Sequence, residues 1–264
     1  MFTPQGPTLR ELTVQALSST ERGYDLLAPK FDLTPFRTPD SVLDAVADAL
    51  GALGPFRAGL DICCGTGAGV DVLREVCVER VTGVDFSAGM LATARAAQLP
   101  KERAHEAGSD GDRTGGDRTG GDRTGGPVVD FVRADARALP FRAAFDVAVS
   151  FGAFGHFLPS ERPALFTRVR EVLRPGGAFV FPVPAPPRVG SRLYWTLWGF
   201  DAAMRARNAV WRPPFVMYYR TFGLTSVVDE LTRTGFEVDL VALDGLGRLP
   251  DGSPRCRMVV ARRP

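Results

Sequence analysis

The chain has little of several features that mark specialised classes of protein. Its 264 residues include four cysteines and two histidines, too few and too irregularly spaced for a disulfide framework or a zinc site. Thirty-two basic and thirty acidic residues leave a net charge of +2, which gives no electrostatic footprint for nucleic acid. No run approaches the roughly 20 apolar residues of a membrane span. The N-terminus lacks a basic segment followed by an apolar one, so we expect a cytoplasmic protein without an integral membrane segment.

One segment differs from the rest of the chain in composition. Residues 111–126 read GDRTGGDRTGGDRTGG, a repeat of five residues without any apolar side chain. Nothing in it offsets the entropy cost of ordering, so we expect a disordered insertion over residues 101–126. A glycine-rich loop that cradles a phosphate is the alternative reading of this repeat.

The remaining sequence alternates between short apolar runs and helical patterns. Five strands are predicted, at Ala58–Cys63, Arg80–Asp85, Val128–Arg133, Phe145–Phe151 and Ala178–Val183. Helices are predicted at Gly67–Glu79, from an N-cap at Ser87 to Leu99, and at Ser160–Leu173. This alternation is typical of a parallel sheet covered on both faces. Two further strands, Phe236–Leu243 and Arg257–Ala261, predict an antiparallel hairpin at one edge.

Two regions lie outside this alternation. Residues 1–55 predict a helical cap with helices Thr8–Ser19, Thr20–Phe31 and Pro39–Leu53, the last with Thr38 as its N-cap. Residues 184–222 hold all three tryptophans and three of the four tyrosines. We expect this segment to form an aromatic lid with an apolar pocket beneath it. Packing among lid helices, or an amphipathic surface that docks on a membrane or a partner, are the alternatives.

The sharpest local feature is the sequence GLDICCGTGAG at residues 59–69. Glycines after a strand let the backbone approach a ligand closely, and the next helix offers unpaired N–H groups to an anion. Asp85 ends the second strand, where a carboxylate can accept hydrogen bonds from two ribose hydroxyls. The pattern therefore predicts a ligand with a ribose and an anionic group. The dinucleotide fingerprint fails, because Val70 occupies the position of its third small residue.

Five segments, in order, resemble the motifs of the class I S-adenosylmethionine-dependent methyltransferases. They are LDICCGTG (60–67), VTGVDFSAGMLATAR (81–95), ADARALPF (134–141), FDVAVSFGAFGHF (145–157) and EVLRPGGAFVF (171–181). Within this family, the motifs are most similar to those of the enzymes that methylate small molecules, which include the quinone-pathway enzymes. The resemblance implies a Rossmann-like fold and S-adenosylmethionine as cofactor. Departing from the family pattern, Cys63 stands where its first motif normally has a glycine.

The resemblance also implies a set of cofactor-binding residues. They are Asp61, Cys63, Gly65, Gly67, Asp85, Phe86, Met90, Asp135, Ala136 and Phe151. In the family, the carboxylate matching Asp85 binds the ribose, and the one matching Asp135 accepts from the adenine amino group. Helix capping by Asp85, a turn role for Asp135 and simple packing of the cysteines are the structural alternatives.

On the acceptor side, His156 follows the fourth strand and is the candidate general base, with a packed or lining imidazole as the alternative. The predicted substrate-contacting residues are Tyr24, Tyr194, Trp195, Trp198 and Tyr218. We expect in-line methyl transfer to a small, fairly apolar metabolite, with no metal and no nucleic acid involved. A nicotinamide-dependent oxidoreductase and a non-catalytic cofactor-binding regulator or scaffold are the rival functions. Oligomeric state stays open.

The expected architecture is a single domain over residues 1–264. Its α/β fold is Rossmann-like and doubly wound, with a seven-stranded, mostly parallel sheet. An antiparallel C-terminal hairpin forms one edge, and the helical cap and helical lid lie outside the sheet.

Overall fold

Seven strands form one sheet in the computed structural model, which describes residues 5–110, 126–220 and 222–264. The strands are β1 (Phe56–Ile62), β2 (Cys77–Asp85), β3 (Val128–Arg133), β4 (Phe145–Val149), β5 (Leu173–Pro184), β6 (Glu237–Ala242) and β7 (Cys256–Arg262). Their order is β3-β2-β1-β4-β5-β7-β6, and β7 runs antiparallel to both of its neighbours. The other neighbouring pairs are parallel, which confirms the predicted sheet and its edge hairpin.

Eight α-helices accompany the sheet in the described part of the chain. They are α1 (Leu9–Leu17), α2 (Thr20–Leu27), α3 (Asp40–Gly51), α4 (Ala68–Val76), α5 (Ala88–Asp110), α6 (Arg162–Val172), α7 (Arg192–Val210) and α8 (Leu224–Arg233). None of these helices is long and apolar enough to cross a membrane.

The central strands of the sheet are buried on both faces, which explains their continuous apolar runs. Phe179 of β5 packs in the cluster that contains Phe166 of α6 and Leu231 of α8. Its neighbour Val180 packs on the opposite face, in the cluster that contains Leu50 of α3 and Leu73 of α4. Successive side chains of a strand point to opposite faces, so both residues are buried by different layers of helices.

The strand order places a crevice at the carboxyl end of β1. Its two neighbours, β2 and β4, lead to opposite halves of the sheet. In doubly wound sheets the connections on the two sides of this switch point diverge, and ligands bind between them. The glycine-rich segment follows β1 directly, so the fold brings it to that crevice.

Several predicted boundaries need correction. Helix α3 begins at Asp40 with Pro39, not Thr38, as its N-cap residue. Helix α2 ends at Leu27, and the chain continues as a 3-10 helix over Ala28–Leu33. Helix α4 ends at Val76, and β2 already begins at Cys77, whose side chain is buried. The alternation of buried and exposed residues after Val76 suits a strand better than the helix expected there.

Helix α5 extends beyond its predicted end at Leu99. Ser87 caps it as expected, because its hydroxyl oxygen accepts the N–H of Met90 at 3.1 Å. The helix continues to Asp110, ten residues into the segment expected to be disordered. The sequence KERAHEA at residues 101–107 is rich in good helix formers, which favours this extension. The rest of the expected disordered segment lies outside the described residues, apart from Gly126.

The N-terminal helices are fixed to the strand ends by side-chain hydrogen bonds. Asp25 on α2 accepts the hydroxyl of Ser87 at 2.6 Å and the backbone N–H of Gly89 at 2.8 Å. A carboxylate at the N-terminus of a helix is also favoured by the helix dipole. In the same way, Asp32 accepts the hydroxyl of Thr66 in the glycine-rich segment at 2.7 Å. These contacts hold the helical cap against the crevice.

We predict that Gly89→Ala loosens this cap. A Cβ at this position would lie 2.8 Å from the backbone Cα of Asp25, closer than real Cβ contacts allow. We expect the free energy of unfolding to fall by about 1–3 kcal/mol, measured by urea denaturation.

Gly51→Ala is the matched control, because nothing lies within 4 Å of a Cβ there. At this helical position alanine should raise the free energy of unfolding by about 0.5–1 kcal/mol. Equal effects of the two substitutions would contradict the close contact between α2 and α5.

Candidate active site

A cavity of about 610 Å³ lies at the carboxyl ends of β1 to β4. This volume is in the range of small-molecule sites. Nine of the ten predicted cofactor residues line it, namely Asp61, Cys63, Gly65, Asp85, Phe86, Met90, Asp135, Ala136 and Phe151. The tenth, Gly67, is the N-cap residue of α4. Tyr24 and His156 line the same cavity, so the structure brings most predicted site residues together.

The turn after β1 requires left-handed backbone conformations. Gly65 and Gly67 have φ angles of 52° and 99°, which glycine adopts without steric cost. Cys63 has a φ of 59°, although it carries a Cβ. A left-handed conformation costs a non-glycine residue about 1–2 kcal/mol. The motif's usual glycine would avoid this cost, whereas Cys63 adds a side chain to the cavity wall.

Asp61 is the least satisfied polar side chain of the cavity. It is 1% exposed, and within the described chain neither carboxylate oxygen has a hydrogen-bond partner. Burial, with a further contribution from Asp85, raises its pKa well above the usual value. The backbone N–H of Val70 falls outside hydrogen-bond geometry and offsets only part of this effect. A buried carboxylate without a partner is costly, so this position suits a ligand with a cationic group.

Gly69 makes the burial of Asp61 possible. A Cβ on Gly69 would lie 2.5 Å from a carboxylate oxygen of Asp61. The first turn of α4 therefore packs directly against this carboxylate. Glycine is required here for close approach, not for an unusual backbone angle.

Asp85 has a different environment at the end of β2. One of its oxygens accepts the N–H of Gly65 and the other accepts the N–H of Ser87, both at 2.9 Å. Burial is the largest influence on its pKa, which is raised. Each carboxylate oxygen can accept a second hydrogen bond. Asp85 can thus hold the glycine-rich turn and still accept two ligand hydroxyls.

Asp135 is engaged by a neighbour that the sequence reasoning missed. Arg137 donates from its backbone N–H at 2.8 Å and from its guanidinium at 2.6–3.0 Å. These bonds lower the pKa of Asp135. Arg137 also pairs with Glu161. An adenine amino group at Asp135 would therefore share an acceptor that Arg137 already occupies, and the turn role left open by the sequence is present.

Tyr24 and His156 form a hydrogen-bonded pair in the cavity wall. The tyrosine hydroxyl lies 2.8 Å from Nε2 of His156, and Nδ1 lies 2.6 Å from the carbonyl oxygen of Val216. A carbonyl only accepts hydrogen bonds, so Nδ1 carries the proton and Nε2 accepts from Tyr24. Burial lowers the pKa of His156 and raises the pKa of Tyr24. Both side chains are therefore neutral near pH 7.

The surroundings of this pair are largely apolar. The lining includes Phe31, Phe36, Phe151, Val216 and Met217. The rings of Tyr24 and His156 meet edge to face, with centroids 5.1 Å apart. Apolar walls around a neutral pair exclude water and suit an acceptor with a hydrophobic body.

The predicted lid residues on α7 do not line the cavity. Trp195 and Trp198 are 57% and 49% exposed, whereas the buried residues of α7 are Asp201 and Met204. Tyr194 contacts the guanidinium of Arg220, with the cation 4.8 Å from its ring centroid.

Tyr218 is buried, and its hydroxyl oxygen accepts a hydrogen bond from Asn208 at 3.0 Å. None of the four residues Tyr194, Trp195, Trp198 and Tyr218 is placed at the cavity wall. Their predicted contact with substrate is therefore not found in this conformation.

The segment that follows α7 takes the place expected for the helix. Pro214, Val216, Met217 and Tyr219 line the cavity. The carboxylate of Asp201 fixes this segment by accepting the backbone N–H groups of Tyr219 at 2.8 Å and Arg220 at 3.1 Å. The helix thus positions the wall without forming it.

The sequence reasoning also missed the connection between α2 and α3. Phe36, Arg37 and Thr38 line the cavity beside Phe31. Arg37 forms an ion pair with Asp40 at 2.7 Å. The signal for this wall is the sequence FDLTPFRTP, which places two phenylalanines in a proline-containing connection where solvated residues are usual.

We predict that Asp61→Asn stabilises the protein in the absence of ligand. The substitution removes a buried, unpaired carboxylate, so the free energy of unfolding at pH 7 should rise by about 1–3 kcal/mol. Since the folded protein holds a proton on Asp61 more tightly than the unfolded chain, wild-type stability should fall as pH rises above 3.8 towards its raised pKa. Asp61→Asn should flatten that slope in urea denaturation curves.

Asp44→Asn is the control, because that carboxylate is exposed on α3. It should leave the free energy of unfolding unchanged. Destabilisation by Asp61→Asn would contradict the unpaired state of the carboxylate.

Comparisons with known proteins agree with this geometry. The family model described as "Methyltransferase domain" matches residues 60–181. The demethylmenaquinone methyltransferase of Renibacterium salmoninarum is 30% identical over 178 residues. That match covers 63% of this chain and 59% of the relative, so the chain spans less than two thirds of the length of this curated relative.

Solved structures share the whole fold at low identity. A DhpI–SAM–HEP complex has a TM-score of 0.59 at 18% identity, covering 97% of this chain and 100% of that one. A SAM-dependent methyltransferase of Methanosarcina mazei has a TM-score of 0.52 at 22% identity, covering 80% and 93% of the two chains. Residues 60–181 thus match a methyltransferase domain, and the chain shares the fold of these solved structures.

Proposed function

We propose that this protein transfers the methyl group of S-adenosylmethionine to a small, largely apolar acceptor. One observation carries the proposal: a single cavity contains the carboxylates Asp61 and Asp85 and also the Tyr24–His156 pair. The carboxylates suit the cofactor, and the neutral pair among apolar side chains suits the acceptor. The demethylmenaquinone methyltransferase is named for an acceptor of the quinone class, which supports an apolar, ring-containing substrate.

The polar part of the cavity fits the cofactor group by group. Asp61 would hold the ammonium of the methionine moiety, which gives its buried carboxylate a partner. Asp85 would accept the two ribose hydroxyls, and Phe86 and Met90 would contact the purine. When bound, S-adenosylmethionine supplies a methyl group made electrophilic by its sulfonium. This chain need only position the acceptor for an in-line displacement and exclude water.

Positioning is the largest contribution expected from the protein. Holding two reactants close together in a reactive orientation can lower the activation free energy by about 7–11 kcal/mol. Phe31, Phe36 and Met217 shape the apolar wall for this purpose. Proton removal contributes a smaller factor, of about 10²–10⁴.

The Tyr24–His156 pair provides a path for the acceptor's proton. An acceptor hydroxyl donates to the oxygen of Tyr24, which passes its own proton to Nε2 of His156. The imidazole then carries two protons, and Tyr24 remains neutral. Because burial lowers the pKa of His156, the pair is a weak base. It therefore suits an acceptor whose proton is already acidic, such as a phenol or an enol.

A direct test measures transfer of labelled methyl groups from S-adenosylmethionine to a panel of acceptors. We expect labelling of apolar phenols and enols, and none of nucleic acid or of aliphatic polyols. Calorimetric titration should detect S-adenosylmethionine and no NAD(P)H. Cofactor binding without transfer to any acceptor would favour a regulatory protein, and binding of NAD(P)H alone would favour an oxidoreductase.

We predict that His156→Asn lowers kcat by about 10²–10⁴, because asparagine retains a donor for the Val216 carbonyl but accepts no proton. Tyr24→Phe should lower kcat by less, because Nε2 then becomes directly accessible to the acceptor. Affinity for S-adenosylmethionine should change by less than about twofold in both variants. Undiminished turnover in His156→Asn would exclude this proton path.

The pH dependence of kcat/KM provides an independent test. Protonation of His156 removes the lone pair that accepts from Tyr24, so activity should fall at acidic pH. Burial places the pKa of His156 below its ordinary value of 6.5, and the acidic limb should therefore lie below that value. The limb should disappear in His156→Asn. A limb that persists in the variant belongs to another group.

A further inference from the structure

Helix α7 leaves a broad face without any covering element. Of its 19 residues, only Asp201 and Met204 are buried. Trp195 and Trp198, three positions apart on one side of the helix, are 57% and 49% exposed. Tryptophan side chains are seldom this exposed on a helix, because their transfer out of water is strongly favourable.

The exposed face is also free of charge over three turns. Between Leu193 and Met204 the one charged residue is Asp201, which is buried. The remaining outward positions are Thr196, Gly199, Ala202 and Ala203. A helix face in contact with water normally carries charged side chains, so this face has the composition of a covered surface.

Apolar side chains on both flanks extend this face. Val189 precedes the helix and is 78% exposed, whereas Val210 and Trp211 end it at 86% and 50%. The indole N–H of Trp211 donates to the carbonyl of Leu17 on α1, which anchors this end of the surface to the cap. We call Val189, Trp195, Trp198, Val210 and Trp211 the α7 surface.

The charges in the segment that carries the α7 surface are almost all positive. Residues 184–220 contain one acidic residue, Asp201, and its carboxylate is used by backbone N–H groups of residues 219 and 220. The same segment contains six arginines, at positions 188, 192, 205, 207, 212 and 220. The whole chain has a net charge of only +2, so this concentration is local. Arg188 and Arg192 lie exposed at one end of the α7 surface and Arg212 at the other.

We propose that the α7 surface docks the protein on an anionic membrane. Exposed tryptophans with flanking arginines are suited to the interface between lipid headgroups and acyl chains. Arginines at both ends would meet acidic headgroups while the uncharged face enters the boundary of the acyl chains. In this arrangement helix α7 would lie along the membrane surface, with its tryptophans at the boundary of the acyl chains.

The position of the α7 surface gives this docking a functional consequence. The chain runs from Trp211 directly into the segment whose residues Pro214, Val216 and Met217 line the cavity. Docking would hold that wall close to a bilayer in which an apolar acceptor dissolves. This consequence rests on the proposed function, whereas membrane docking itself does not.

Intrinsic fluorescence offers a direct experiment on the full chain. All three tryptophans of the protein belong to the α7 surface. Vesicles of phosphatidylcholine with phosphatidylglycerol should shift the emission to shorter wavelength, and brominated lipids should quench it. Vesicles of phosphatidylcholine alone should do neither, and the shift should weaken at high salt.

Flotation of the protein with the same vesicles tests which residues of the α7 surface and its flanking arginines contribute to membrane binding. We expect Trp195→Ala with Trp198→Ala to weaken binding by at least about tenfold. Arg188→Gln, Arg192→Gln and Arg212→Gln together should weaken it on the order of 100-fold. The control pair Leu240→Ala and Val241→Ala on β6, which are 46% and 36% exposed, should leave binding unchanged. Thermal melting confirms that each variant folds.

Three outcomes would overturn the proposal. They are no fluorescence shift with anionic vesicles at low salt, binding that both α7 variants retain, and equal binding to neutral vesicles. A dimer in sedimentation velocity that Trp195→Ala with Trp198→Ala dissociates would instead assign the α7 surface to a second copy of the chain. Failure of methyl transfer would leave all of these readouts unaffected, so the two proposals are tested separately.

Discussion

A buried carboxylate without a partner is the constraint around which this site is organised. Asp61 is the last residue but one of β1, in the crevice where the strand order reverses, and Gly69 lets α4 pack against it. Removing Asp61 from water costs free energy, and neither of its oxygens has a hydrogen-bond partner in the described chain to offset that cost. The neighbouring Asp85 adds repulsion, although its own oxygens are hydrogen-bonded. In the proposed function, the ammonium of S-adenosylmethionine would pair with Asp61 and its ribose hydroxyls would donate to Asp85.

The acceptor side depends on contacts between distant parts of the chain. Tyr24 comes from the cap, His156 from the segment after β4, and Val216 from the segment after α7. Asp25 and Asp201 secure the first and the last of these segments to helices. The proposed proton path would need all three segments to be docked. In that proposal, catalysis would be coupled to the cap and to α7, neither of which belongs to the sheet.

Sequence reasoning predicted the sheet, and it also predicted a group of residues that the structure places at one cavity, because the signals for both are local. Buried parallel strands read as continuous apolar runs, and the glycine-rich turn lies directly after β1. The hydrogen bond between Tyr24 and His156 joins residues 132 positions apart. Helix and strand periodicity relate only residues a few positions apart, so they could not predict this contact. The sequence also did not predict that Trp195 points outward. Helix α7 is apolar on several sides, so its pattern does not indicate which side is buried, and the structure shows that this is the side of Asp201. Aromatic richness identified an important segment but assigned the wrong residues to the cavity.

The most direct test of the central claim compares S-adenosylmethionine binding to the wild type and to Asp61→Asn by calorimetric titration. Loss of the carboxylate removes the proposed partner of the ligand's ammonium. Affinity should therefore fall by about tenfold or more, as for the loss of a charge-assisted hydrogen bond. Equal affinity of the two proteins, or no binding by the wild type, would contradict the account.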